Sequence, residues 1–167
     1  RLNYACSAIV LHWGLDKKYP ELGHHSVFLS GDYESNLKKI FKKKSLSGNP
    51  SFYVHAPVRS DPTAAPEGHD TLSVIIPAGH LDDRHEQNWN ELKNTARASV
   101  IDRLKKQGLT DIEERIKFEI CYLPHTWKSL FNLTRGATFG SIGHNIFQMG
   151  YFRPHNRHNR YKNLYFT

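Results

Sequence analysis

The pattern that most constrains this chain is a series of short apolar runs more numerous than the helices that could link them. YACSAIVLHW (residues 4–13), His24 to Leu29, SFYVHAP (51–57), TLSVIIP (71–77), KFEICYL (117–123) and NLYFT (163–167) all read as strands. A parallel neighbour needs a crossover of about a dozen residues or more, usually a helix. Only two stretches have a helical period of useful length. Leu37, Ile40 and Phe41 share one face after the N-cap candidate Asp32, and Trp89, Leu92, Ala96, Val100 and Leu104 recur through a helix expected from about His85 to Gln107, stopped by Gly108. The runs must therefore pair chiefly antiparallel. The predicted class is α+β: a mixed, chiefly antiparallel sheet with helices packed on one face.

Finer signals complete this outline. The first run is small and apolar at both parities, which predicts a strand buried on both faces. Thr110 and Glu113 have capping-box spacing for one more short helix. DPTAAPEG (61–68) is a proline-bearing loop, and Trp127 to Phe131 reads as a helical turn. Gly136, Gly140, Gly143 and Gly150 lie among apolar residues in the least legible segment. No repeat or linker divides the chain, so one domain over residues 1–167 is expected.

A hydrophobic fraction of 38% excludes a disordered chain, and no run approaches the roughly 18 apolar residues of a membrane span. The first residues lack the basic and apolar regions of a signal peptide, and the chain starts in mid-pattern without methionine. An excised piece of a larger cytoplasmic protein is expected. The net charge of +7 is uneven. After Glu119 there is no acidic residue, whereas Lys128, Arg135, Arg153, Arg157, Arg160 and Lys162 follow. Lys38, Lys39, Lys42, Lys43 and Lys44 form a second cluster. Such patches suit an anionic membrane surface or a nucleic-acid backbone, and equally a solvated face. Cys6 and Cys121, each inside an apolar run, read as buried free thiols of a reducing compartment.

Several chemistries lack their residues. No Gly-x-Gly-x-x-Gly or Gly-Lys-Ser/Thr loop is present to cradle phosphates. Among eleven histidines, His24 and His25 are adjacent and should point to opposite faces of a strand, and His155 and His158 lack companion ligands, so no metal site is expected. Ser7 and Cys6 sit on no nucleophile elbow. Asp82–Asp83 and Glu113–Glu114 stand at helix starts, where the dipole accounts for them. Tyr151, Phe152, Tyr161, Tyr165 and Phe166 alternate with cations as in single-strand binders, but no named nucleic-acid module accompanies them.

Four segments together resemble the phytoene desaturase family of flavin-dependent carotenoid desaturases and isomerases. They are CSAIVLHWGLDKKYPELGHHSVFL (Cys6 to Leu29), PSFYVHAPVRSDPTAAPEGHDTLSVIIPAGHL (Pro50 to Leu81), FNLTRGATFGSIGHNIFQMGYFRPHNR (Phe131 to Arg157) and YKNLYF (Tyr161 to Phe166). The Asp61-Pro62 turn with Ala65-Pro66-x-Gly68, and the Phe152-Arg153-Pro154 block, are the most specific parts. The resemblance implies the substrate-binding middle section of an amine-oxidase-like flavoenzyme whose Rossmann segments lie elsewhere, so this piece alone would be inactive and bind no FAD. It further implies a long apolar tunnel for a polyene, with Trp13, Phe28, Tyr53, Val74 and Phe139 as lining candidates subject to register. By the same resemblance Phe152, Arg153 and Pro154 should lie near the flavin, with His144 as a candidate proton-handling group. The implied partners are a polyene substrate, the flavin-binding domain of the same chain and a peripheral membrane contact, with no nucleic acid. The alternative is a non-enzymatic basic module that binds an anionic membrane surface or nucleic acid.

Overall fold

The computed structural model describes residues 3–84, 87–139 and 155–165. Strands β1 (Ser7–Leu15), β2 (His25–Phe28), β3 (Phe52–His55), β4 (Asp70–Ala78) and β5 (Ile116–Tyr122) form one sheet in the order β2-β3-β4-β1-β5, antiparallel at every pairing. Helix α1 (Tyr33–Phe41) joins β2 to β3, α2 (Trp89–Lys106) and α3 (Ile112–Arg115) lie between β4 and β5, and α4 (Pro124–Phe131) follows β5. The α+β class of the sequence is the class of the fold.

The central position of β1 explains its composition. It is flanked by β4 and β5 and is buried at eight of nine positions, only His12 being partly open. Strand pleating sends Ile9, Leu11, Trp13 and Leu15 to one side, where they meet Leu72, Val74 and Ile76 of β4 and Phe52 and Val54 of β3. Ala96, Val100, Ile101 and Leu104 of α2, with Leu109 and Ile112, close the core over this side. Arg103 then clamps the helix to the β2–β3 edge: its guanidinium donates to Pro50 O at 2.7 Å and Leu29 O at 2.9 Å and lies 4.8 Å from the Phe52 ring centroid.

Several expectations shift. α2 begins at Trp89, with the Asn88 side chain accepting from Glu91 N, because Asn88 captures the first free donors; His85, the expected start, lies outside the described residues. α3 is capped by Asp111, not by the Thr110–Glu113 box, and even Asp111 makes no side-chain cap. Its carboxylate is taken instead by Lys17 Nζ at 2.9 Å, Tyr19 Oη at 2.9 Å and Arg115 Nε at 3.0 Å. Asp32 caps α1 as read, accepting from Ser35 N. The helices do not all share one face, since α1 and α4 flank the other side of the sheet. The described part of the last expected strand shows an isolated antiparallel bridge, Arg157 to Tyr165.

Two glycines are demanded by close backbone approach. A Cβ on Gly79 would stand 2.3 Å from the Lys44 backbone, and one on Gly136, which has φ +62°, 2.0 Å from the Pro124 carbonyl oxygen.

Candidate functional site

The register arranges the face away from α2 into transverse rows. Val27, Tyr53, Ile75, Val10 and Tyr122 are successive partners across all five strands. His25, His55, Ser73, His12 and Ile120 make the next row, and Thr71, Gly14 and Phe118 a shorter third. Four inter-strand spacings of about 4.8 Å make the first row about 19 Å long. Much of this face is apolar and open: Val27 is 67% exposed, Phe118 59% and Ile120 49%. The Phe118 ring covers Gly14 so closely that a Cβ there would meet it at 2.0 Å.

Each end of the face has its own chemistry. Toward the start of β1, Cys6, Pro77 and Phe139 line an apolar cavity of about 320 Å³ with Tyr33, Ile40 and Phe41 of α1. Alongside, α4 adds an aromatic group in which Trp127 meets Tyr122 edge-on at 5.0 Å and Phe131 at 5.4 Å. Trp127 Nε1 donates to Ala8 O at 2.8 Å and so holds α4 to β1. In the polar row His12 Nδ1 lies 2.9 Å from Ser73 Oγ, and burial lowers the imidazole pKa below its usual value. No carboxylate completes a triad with this pair among the contacts of the described residues. A neutral imidazole and a hydroxyl can orient a ligand by hydrogen bonding.

The sequence-predicted lining residues separate on this geometry. Tyr53 stands on the open face, and Phe139 at the cavity. Trp13 and Val74 point to the helix side and are fully buried, Trp13 Nε1 donating to Glu119 Oε2 at 2.8 Å. Phe28 stacks on Phe52 at 4.5 Å on that same side. These three belong to the core. The physical reason is register: odd positions of β1 and even positions of β3 and β4 face α2. His144, Phe152, Arg153 and Pro154 lie outside the described residues. The residues that the sequence reading missed on this face are Val10, His12, Ile75, Ile120 and Tyr122. Their alternation with core residues was visible, but not which strands stand side by side.

The thiols are free, Cys6 buried and Cys121 half-buried, with burial raising the first and pushing the second to about 11. His158 serves a local turn, its Nδ1 accepting from Arg160 N and Tyr161 N. His24, His25 and His55 come together at the β2–β3 edge, contrary to the alternation expected of His24 and His25. His24 precedes the first strand residue, so the pleat does not govern it, and the two rings sit 4.2 Å apart.

No family model matches the chain. Curated relatives cover it almost completely. It is 37% identical over 98% of its length to a phytoene desaturase of Fusarium fujikuroi, 38% over 100% to a zeta-carotene-forming phytoene desaturase of Myxococcus xanthus, and 38% over 98% to a 4,4'-diapophytoene desaturase of a Methylomonas species. These relatives are named as desaturases of phytoene or diapophytoene. The chain spans about a third of the length of each, 32%, 32% and 31%. The desaturase resemblance of the four sequence segments thus extends over the whole chain, including the helix from Trp89 to Lys106.

The flavin implied by that resemblance needs a glycine-rich turn that lets backbone approach its phosphates. Among the described residues Gly31 leads from β2 into α1 but stands without the companion glycines of a phosphate-cradling turn, and Gly14, Gly79 and Gly136 are filled by Phe118 and by the backbones of Lys44 and Pro124. A dinucleotide does not fit the described residues.

Proposed function

We propose that this chain, as a single domain over residues 1–167, is the substrate-binding part of an FAD-dependent oxidoreductase that acts on carotenoid-type polyenes, the flavin being held by other polypeptide of the same protein. The observation that carries the proposal is the open sheet face. A soluble domain seldom leaves such an apolar surface uncovered unless something binds it. Its long axis across the strands suits a linear hydrocarbon, and its single polar row supplies few hydrogen bonds, as an apolar ligand requires. Each 100 Å² of apolar surface covered contributes roughly 2.5 kcal/mol. The relatives named as desaturases of phytoene and diapophytoene support a polyene as the substrate class.

Lys38, Lys42 and Lys43 are exposed on or just after α1, beside Phe41 and Tyr33 at the rim of the apolar cavity. Cations with adjacent aromatics dock a protein on an anionic bilayer, each lysine adding about 1 kcal/mol. This pattern supports membrane contact at the rim of the cavity, where a lipid-dissolved substrate would enter. No helix among the described residues is long and apolar enough to cross a membrane.

The test uses the complete gene product with phytoene in liposomes. Ile75→Glu and Ile120→Glu put charge on the open face without touching the core, and each is expected to lower turnover at least tenfold with thermal unfolding unchanged. Wild-type turnover in both variants refutes the proposal.

A further inference from the structure

We propose that His24, His25 and His55 form a binding site for a divalent transition-metal ion of the zinc class, on the edge formed by β2 and β3. One ring nitrogen from each residue lies within 4.8 Å of the other two, and His24 Nε2 is 2.9 Å from His55 Nε2. Around tetrahedral zinc, with Zn–N distances of about 2.0–2.1 Å, ligand nitrogens stand roughly 3.3 Å apart. Small ring rotations bridge the difference.

The outer nitrogens are already engaged in the manner of a metal site. His24 Nδ1 pairs with Ser60 Oγ, and His25 Nδ1 lies 2.6 Å from Tyr53 Oη. Such partners fix the tautomer and aim the remaining Nε2 inward. The rings of His25 and His55 are stacked at 5.4 Å, and His25 and His55 are direct partners across β2 and β3. Sheet pairing therefore preorganises two of the ligands, and the bend before β2 delivers the third. Three imidazoles leave a fourth position for water or an external ligand, which faces solvent because His25 is exposed. The donor set selects Zn²⁺, Co²⁺, Ni²⁺ or Cu²⁺ over Mg²⁺ and Ca²⁺, which prefer oxygen. The site does not rest on the polyene reading, although His25, His55 and Tyr53 also belong to the rows of the open face.

The test is equilibrium dialysis of the purified protein against Zn²⁺ with metal analysis, repeated with Co²⁺ to read its coordination spectrum. The expected result is one equivalent per chain with a tetrahedral cobalt spectrum. His55→Gln should lose it, Tyr53→Phe should bind about 10–100-fold more weakly, and His69→Gln, an exposed histidine elsewhere, should bind as wild type. Metal-free circular dichroism confirms that the variants are folded. Absence of saturable binding, or binding unaltered by His55→Gln and Tyr53→Phe, overturns the assignment.

Discussion

Arg59 ties the start of β4 to the connection between β1 and β2. Its guanidinium donates to both carboxylate oxygens of Asp70, at 3.2 and 2.8 Å, and to the carbonyls of Leu22 at 2.9 Å and Tyr19 at 2.6 Å. The Asp70 side chain is wholly buried, so a lost partner leaves an uncompensated charge at the start of β4. Arg59→Met is expected to cost about 3–5 kcal/mol in urea unfolding. Asp111 predicts a pH effect. Hydrogen bonds from Lys17, then Arg115 and Tyr19, hold its carboxyl well below the usual carboxylate range. The folded pKa lies under the unfolded value of about 3.9, so the stabilisation is complete above that pH and is lost as pH falls below it. Urea midpoints should decline on acidification below about pH 4, and less steeply for Asp111→Asn. The cysteines predict silence: a thiol at about 11 is ionised in about one molecule per thousand at pH 8, so Ellman's reagent should label Cys121 rapidly only after unfolding.

At the level of elements, α2 joins the two halves of the core. Leu104 is fully buried beneath β1 and β4, and Leu104→Ala should cost about 2–5 kcal/mol by calorimetry or urea. The element list was largely legible because both periods are clean: Trp89, Ala96, Val100 and Leu104 mark a helix, and the alternation of Leu72, Val74 and Ile76 marks a strand. The candidate site was less so. Trp13, Phe28 and Val74 are as apolar as Val10, Ile75 and Ile120, and only the pairing of strands far apart in sequence decides which set stands on the open face. A register shift by one residue would exchange the two sets. The histidine cluster escaped for a local reason, since a bend at His24 annuls the alternation that separates adjacent strand residues. The Thr110–Glu113 box was misread: Asp111 takes the cap position, and Lys17 and Tyr19 outside α3, with Arg115 at its end, hold its carboxylate.

For the whole molecule, charge and apolar surface lie together at the α1 end. Association of the complete gene product with vesicles containing anionic lipid should weaken as salt rises toward 0.5 M, where the screening length falls to about 4 Å. Lys38→Glu with Lys42→Glu should abolish sedimentation with such vesicles and leave the thermal unfolding midpoint near wild type. Binding that is indifferent to both salt and charge reversal would remove the membrane contact from the proposal.

The central place of β1 also sets a timetable. Its first partner, β4, lies some sixty residues downstream and its second, β5, roughly a hundred. At elongation rates of about 5–20 residues per second, the most apolar strand waits roughly 5–20 s for its second neighbour. The sheet is completed only when β5 arrives, in the slow regime of non-local pairing. A nascent chain of this protein is thus a strong client for chaperones that hold exposed apolar strands, and synthesis speed between β1 and β5 should govern its soluble yield.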